Sequence, residues 1–171
     1  MQCPARLRRS RQRSKDTHRC LVCRKADTAA RLCDEVLPRA RVRLGVQSLP
    51  YEIRHRLAWD GTLISAVLAV FQRVVHGWYR HQAKARGFAD GRCGAVTFVP
   101  RFGSALNFNQ YLHMLMLDGV YIVRGDGAPR FMPAPRLTDI DVAKIFETSA
   151  RRVIRLLQRR GVLDDTAADQ L

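Results

Sequence analysis

Seven consecutive residues, Tyr111-Leu112-His113-Met114-Leu115-Met116-Leu117, carry no charge, glycine or proline, and the run ends abruptly at Asp118-Gly119. An apolar run of this length is a strand, because a helix of ordinary size would need several more residues. Successive strand side chains point to opposite faces. Tyr111, His113 and Leu115 therefore share one face, and Leu112, Met114 and Met116 share the other. A polar side chain on so rigid a platform can be aimed at a ligand or a metal. It can equally be a core histidine with one satisfied hydrogen bond, and the spacing alone leaves both readings open.

The flanking sequence predicts an α+β domain. Asp27 can cap a short helix whose apolar face is Ala30, Leu32, Cys33, Val36 and Leu37, ended by Pro38. Val42, Leu44 and Val46 alternate with Arg43, Gly45 and Gln47, the pattern of a strand with one wet face, and Pro50 stops it. His55 falls in the connection as a surface residue. Asp60 opens the longest helix, with a stripe of Leu63, Ile64, Val67, Leu68, Phe71, Val74, Val75 and Trp78. Its far half is basic (Arg73, Arg80, Lys84, Arg86), and His76 and His81 there read as solvated. Residues 93–99 and the His113 run are both predicted as central strands buried on two sides. Val120-Tyr121-Ile122-Val123 leads through Gly125-Asp126-Gly127-Ala128 into a short return strand over residues 130–132. Thr138 opens the last helix, with Asp141 as a capping-box carboxylate. Its apolar face is Val142, Ile145, Phe146, Val153, Leu156 and Leu157, and Gly161 ends it. The expected architecture is a split β-α-β-like sandwich, an antiparallel sheet with helices on one face. A basic arm over residues 1–25 precedes this core at 26–163, and a frayed tail follows at 164–171.

Charge narrows the function classes. The net charge is +15, and residues 1–25 hold nine Lys or Arg against Asp16, so +8 of it lies in the arm. Such an excess attracts polyanions, nucleic acid above all. The arm has no apolar period and is predicted to be disordered until it meets a partner. Arg8, Arg9, Arg11, Arg13 and Lys15 are its candidate DNA contacts. No apolar segment follows these charges, which excludes a secretory signal. Gln72 and Arg73 interrupt the apolar run of the long helix well short of the roughly 20 residues a membrane span needs, so no membrane partner is expected. The five cysteines are odd in number and irregular in spacing, which argues for reduced thiols. Cys20 and Cys23 have the spacing of half a zinc knuckle, but a structural site takes four ligands, and only Cys3 and His18 lie near. Cys33 and Cys93 read as small buried hydrophobes. Tyr51, Tyr79 and Tyr121 read as packing residues with a wet hydroxyl.

Longer motifs go further. Arg101-Phe102-Gly103-Ser104-Ala105-Leu106-Asn107 and Leu117-Asp118-Gly119-Val120-Tyr121 resemble the nuclease core of the two-tyrosine, HUH-class rolling-circle transposases of some bacterial insertion sequences. Cys93-Gly94-Ala95-Val96-Thr97-Phe98-Val99, Ser48-Leu49-Pro50-Tyr51, Cys20-Leu21-Val22-Cys23 and Thr28-Ala29-Ala30 extend the likeness, which covers roughly residues 20 to 136. The resemblance implies an HUH-endonuclease fold, a bacterial cytoplasmic setting and single-stranded DNA at insertion-sequence ends as partner. It also implies a Mg or Mn ion held by a His-hydrophobic-His pair, and a tyrosine that attacks a phosphate to become linked to DNA. Arg101 would hold a phosphate, Asn107 and Asn109 would shape the loop beside the metal, and Cys20 and Cys23 would be the remnant of a zinc ribbon.

Two departures qualify that implication. Alignment on Leu117-Asp118-Gly119 puts His113 at the second histidine of the pair and Tyr111 at the first. A neutral phenol is a poor ligand for Mg or Mn, so the site is expected to be degraded, with Asn109 as a weak replacement ligand. No tyrosine follows Tyr121, so no catalytic set is complete and the chain is expected to be an N-terminal piece of a transposase. The alternative is a non-catalytic nucleic-acid-binding remnant. A third, RRM-like reading would need Phe98, Phe108 and Tyr121 exposed on the sheet face.

Overall fold

The computed structural model describes residues 27–99, 111–123, 125 and 127–164, without the side chains of Tyr51 and Glu52. The chain divides into two compact units, Met1–Arg39 and Ala40–Leu171. In the first, residues 27–36 are helical and end in a π turn, Leu32–Val36. Asp27 is already inside this helix and not ahead of it, and Cys33 is exposed, contrary to the buried hydrophobe expected. The π turn closes with the Leu37 amide donating to the Leu32 carbonyl at 2.8 Å, and Pro38 follows.

The second unit is α+β. Its elements are β1 (Val42–Ser48), α1 (Tyr51–Trp59), α2 (Gly61–Ala85), β2 (Ala95–Phe98), β3 (Tyr111–Leu117), β4 (Gly119–Ile122), β5 (Arg130–Pro133) and α3 (Asp139–Arg159). The three-stranded antiparallel sheet has the order β1-β3-β2, so the His113 strand is central. β4 and β5 form a separate antiparallel hairpin, linked to the segment before β2 by an Arg92–Tyr121 bridge.

Local chemistry accounts for the helix ends. The Asp60 carboxylate accepts from the amides of Thr62 and Leu63, both at 2.9 Å, and so satisfies two orphan donors of α2. Thr138 and Asp141 form a reciprocal capping box at α3, and Gly161 beyond its end takes φ +65°. α1 is a helix the sequence pattern did not announce. Pro50 both stops β1 and stands as the residue before its first turn, where a proline needs no amide donor. His55 is exposed as expected, but on this helix.

The core lies between the inward row of the sheet and the helices. Leu112 and Met114 are fully buried among Leu49, Ile53, Leu57, Leu63, Val67, Phe71, Val75 and Leu157, which come from α1, its lead-in, α2 and α3. Each such side chain contributes about 1.5–3 kcal/mol by leaving water. Among the described residues no helix covers the other sheet face, and its side chains on β2 and β3 are half-buried or exposed, so these strands are not buried on two sides. β1 also presents the face opposite to the one its composition suggests. Val42, Leu44 and Val46 are exposed, and Arg43, Gly45 and Gln47 pair with the inward residues Met116, Met114 and Leu112. Two causes are visible: the partner of Arg43 lies inside, and at Gly45 a Cβ would sit 2.7 Å from the Met116 Cε.

The stripe on α2 is largely as expected, with Val70, Tyr79 and Ala83 added. On α3 only Leu157 of the expected face is fully buried; Ile145, Val153 and Leu156 are half-buried, and Val142 and Phe146 are exposed. Among the described residues no single helix is long and apolar enough to cross a membrane.

Candidate nucleic-acid interface

β3 is hydrogen-bonded on both sides, which makes it the most rigid strand of the sheet and the best platform for a functional side chain. Its open-face residues Tyr111, His113 and Leu115 are half-buried. The Tyr111 and His113 rings meet edge to face with centroids 6.2 Å apart. In register, His113 lies between Val46 on β1 and Phe98 on β2. Phe98 is 41% exposed and Val46 54%. The Arg54 guanidinium of α1 stands 5.8 Å from the Tyr111 ring centroid, held by a 2.6 Å bond from its Nε to the Leu49 carbonyl. The result, among the described residues, is a partly exposed patch of Phe98, His113 and Tyr111, with Val46 beside it and the Arg54 guanidinium at its edge.

Such a patch has two chemical capacities. Flat aromatic side chains on an open sheet can stack against bases, at about 1–3 kcal/mol per base. A single imidazole can also donate one metal ligand. Among the described residues no group of three or more His, Cys, Asp or Glu side chains could hold a metal ion. Asn109, Asn107, Arg101, Phe108, Cys20, Cys23 and the arm residues Arg8, Arg9, Arg11, Arg13 and Lys15 lie outside the described residues.

Behind β3, Asp118 is the polar centre of the domain. Its side chain is only 6% exposed and takes the Arg41 Nη2 at 2.9 Å and the Arg43 Nη2 at 3.1 Å. The Arg43 Nε adds a bond at 3.2 Å, and the Tyr79 hydroxyl donates to the same carboxylate at 3.3 Å. The backbone of Asp118 joins in: its amide donates to the Arg41 carbonyl, and its carbonyl accepts from the Ala134 amide. β1, α2, β3 and the segment after β5 thus converge on one residue. Burial, and next the neighbouring Asp118 carboxylate, push the Tyr79 phenol up to about 12. Tyr79 is therefore not a packing residue with a wet hydroxyl.

The sequence shows Asp118 as the end of an apolar run and as part of the motif over residues 117–121, and assigns its carboxylate no partner. The signal was partial: a lone carboxylate closing such a run must be paired if it is buried, but its partners Arg41 and Arg43 lie 77 and 75 residues away along the chain, beyond the reach of any local pattern. Tyr121 packs on Phe131 of the hairpin, ring centroids 5.3 Å apart, so it does not belong to the open patch. His76 is half-buried with its Nε2 unpartnered among the described residues, and is not the solvated side chain expected. Cys93 is half-buried, with its Sγ 3.6 Å from the His76 carbonyl. No protein-family model, curated protein or solved structure matches the chain.

Proposed function

We propose that this chain carries the DNA-binding core of a two-tyrosine, HUH-class rolling-circle transposase and holds single-stranded DNA on the open face of its β1-β3-β2 sheet. One observation carries the reading: Tyr111 and His113, the two positions that align with the family's ligand pair, stand side by side, half-exposed, on the face of the central strand that no described helix covers. The exposed Phe98 beside them extends a surface on which bases can stack. The +15 net charge supplies the long-range attraction for the phosphate backbone.

The phenol at position 111 favours a non-catalytic form of that function. It leaves one imidazole where the family's chemistry uses two, and a neutral phenol does not replace it for a hard divalent ion. The chain is thus read as a binder of single-stranded DNA whose metal site has lapsed.

Fluorescence anisotropy with a labelled single-stranded oligonucleotide tests the binding face. Phe98→Ala and Tyr111→Ala are each expected to weaken binding roughly five- to a hundredfold, the equivalent of one stacked base. Unchanged affinity in both variants would sink the sheet-face reading. Titration calorimetry with Mn tests the alignment of the ligand pair: Tyr111→His should tighten Mn binding clearly, and equal heats for the two proteins would show that position 111 never belonged to a metal site.

A further inference from the structure

A second charged surface lies away from the sheet. A groove between α2 and the second half of α3 is lined by Val70, Arg73, Arg152, Arg155, Gln158 and Arg159. No strand residue and no aromatic side chain lines it. Arg73, Arg152, Arg155 and Arg159 are all exposed. Among the described residues none of the four forms an ion pair with a carboxylate; the one hydrogen bond drawn from them is from the Arg159 Nε to the Arg155 carbonyl at 3.2 Å.

The charges on α3 are segregated. Asp139, Asp141 and Glu147 lie in its first half, whereas Arg151, Arg152, Arg155 and Arg159 follow with no acid among them. Helix-dipole compensation explains only part of this, because that effect fades within the last turn. Arg152 stands about two turns before the helix end, and Arg73 lies mid-helix on α2. Arginines at spacings of three and four also repel one another and destabilise an isolated helix by a few tenths of a kcal/mol per pair. An anion in the groove relieves that repulsion.

We propose that this groove grips the sugar-phosphate backbone of duplex nucleic acid, as a contact surface separate from the sheet face. Arg152, Arg155 and Arg159 follow one another along one side of α3 at steps of about 4.5 and 6 Å, a row suited to successive phosphates, and Arg73 closes the groove from α2. Guanidinium forks suit phosphate oxygens. The lack of any aromatic lining gives bases nothing to stack on, which favours a duplex, read by its backbone, over a single strand. The proposal does not rest on the sheet-face reading.

The test compares a labelled 20-base-pair duplex with one of its single strands, bound by the full chain over a salt series. The triple variant Arg73→Gln, Arg152→Gln, Arg155→Gln removes three phosphate-binding cations at exposed positions and keeps good helix formers. Its duplex salt slope should fall by about three units, with affinity at least tenfold weaker at moderate salt, while the single strand loses much less. The matching triple lysine variant should keep most of the slope. An unchanged duplex slope, or equal losses for duplex and single strand, would overturn the proposal. Thermal melting shows whether the glutamine variant is folded; its midpoint should hold or rise, since like charges are removed. Phe98→Ala should weaken the single strand and spare the duplex, so failure of the sheet-face reading is visible separately.

Discussion

Removing the Asp118 carboxylate would leave Arg43, itself only 32% exposed, without its partner and the Tyr79 hydroxyl without its acceptor. Breaking a buried pair from one side costs several kcal/mol, reduced here because Arg41 and Arg43 reach water. Asp118→Ala is expected to lower stability by about 2–4 kcal/mol in urea unfolding, and Asp118→Asn by less, because an amide still accepts hydrogen bonds. His76 behaves differently. Burial, and next the nearby Arg80, hold its imidazole below the ordinary value of 6.5. The Cys93 thiol that also faces this region is pushed up by burial and stays neutral. Because the unfolded chain takes up the His76 proton first as pH falls, His76 contributes stability above about pH 6.5 that is lost on acidification below it. The melting temperature should therefore drop between pH 7 and pH 5, and His76→Gln should flatten that drop. An identical slope in the variant would place the acid sensitivity elsewhere.

The helices show how short-range chemistry and packing divide the labour. The box at the start of α3 also fastens that helix to α2, because the Trp78 Nε1 donates to the Asp141 Oδ1 at 3.1 Å. Thr138→Ala should cost about 1 kcal/mol by leaving amides of the first turn unpaired. Asp141→Ala should cost more, since it removes the other half of the box and the tie to Trp78 together; chemical denaturation of the two variants checks the order. The caps of α2 and α3, the three sheet strands and the hairpin were all legible in the sequence, because each depends on residues adjacent along the chain. α1 was not: its nine residues have almost no amphipathic pattern beyond Ile53 and Leu57, and the helix is held by burying those two. The wet side of β1 was misread for a related reason. Alternation shows that a strand has two faces and leaves open which one the helices cover.

Two surfaces stand out on the molecule, an aromatic sheet face and an arginine-lined groove, and the charge beyond them is concentrated in the arm. Residues 1–19 alone contain seven Lys or Arg. Deleting them should make nucleic-acid binding much less salt-dependent, by roughly one slope unit for each phosphate that the arm neutralises; an unaltered slope would assign the electrostatics to the body of the protein. The candidate site was partly legible as well. The shared face of Tyr111 and His113 followed from a period of two, and their edge-to-face packing bears it out. Phe98 beside His113 required the register of β2 against β3, which no local pattern contains.

Residue order was enough for the features that are near neighbours along the chain: the strand carrying His113, the caps at Asp60 and Thr138, the stop at Gly161 and the uneven charge. Folding in three dimensions chose which face of the sheet stays open, brought Arg41, Arg43 and Tyr79 onto Asp118, and set Arg73 opposite the arginines of α3. The physical cause is reach. Hydrogen bonds at helix ends and the alternation of strand side chains act over a few residues, whereas the Arg41–Asp118 pair joins groups 77 residues apart, and it and the buried core depend on how the layers pack.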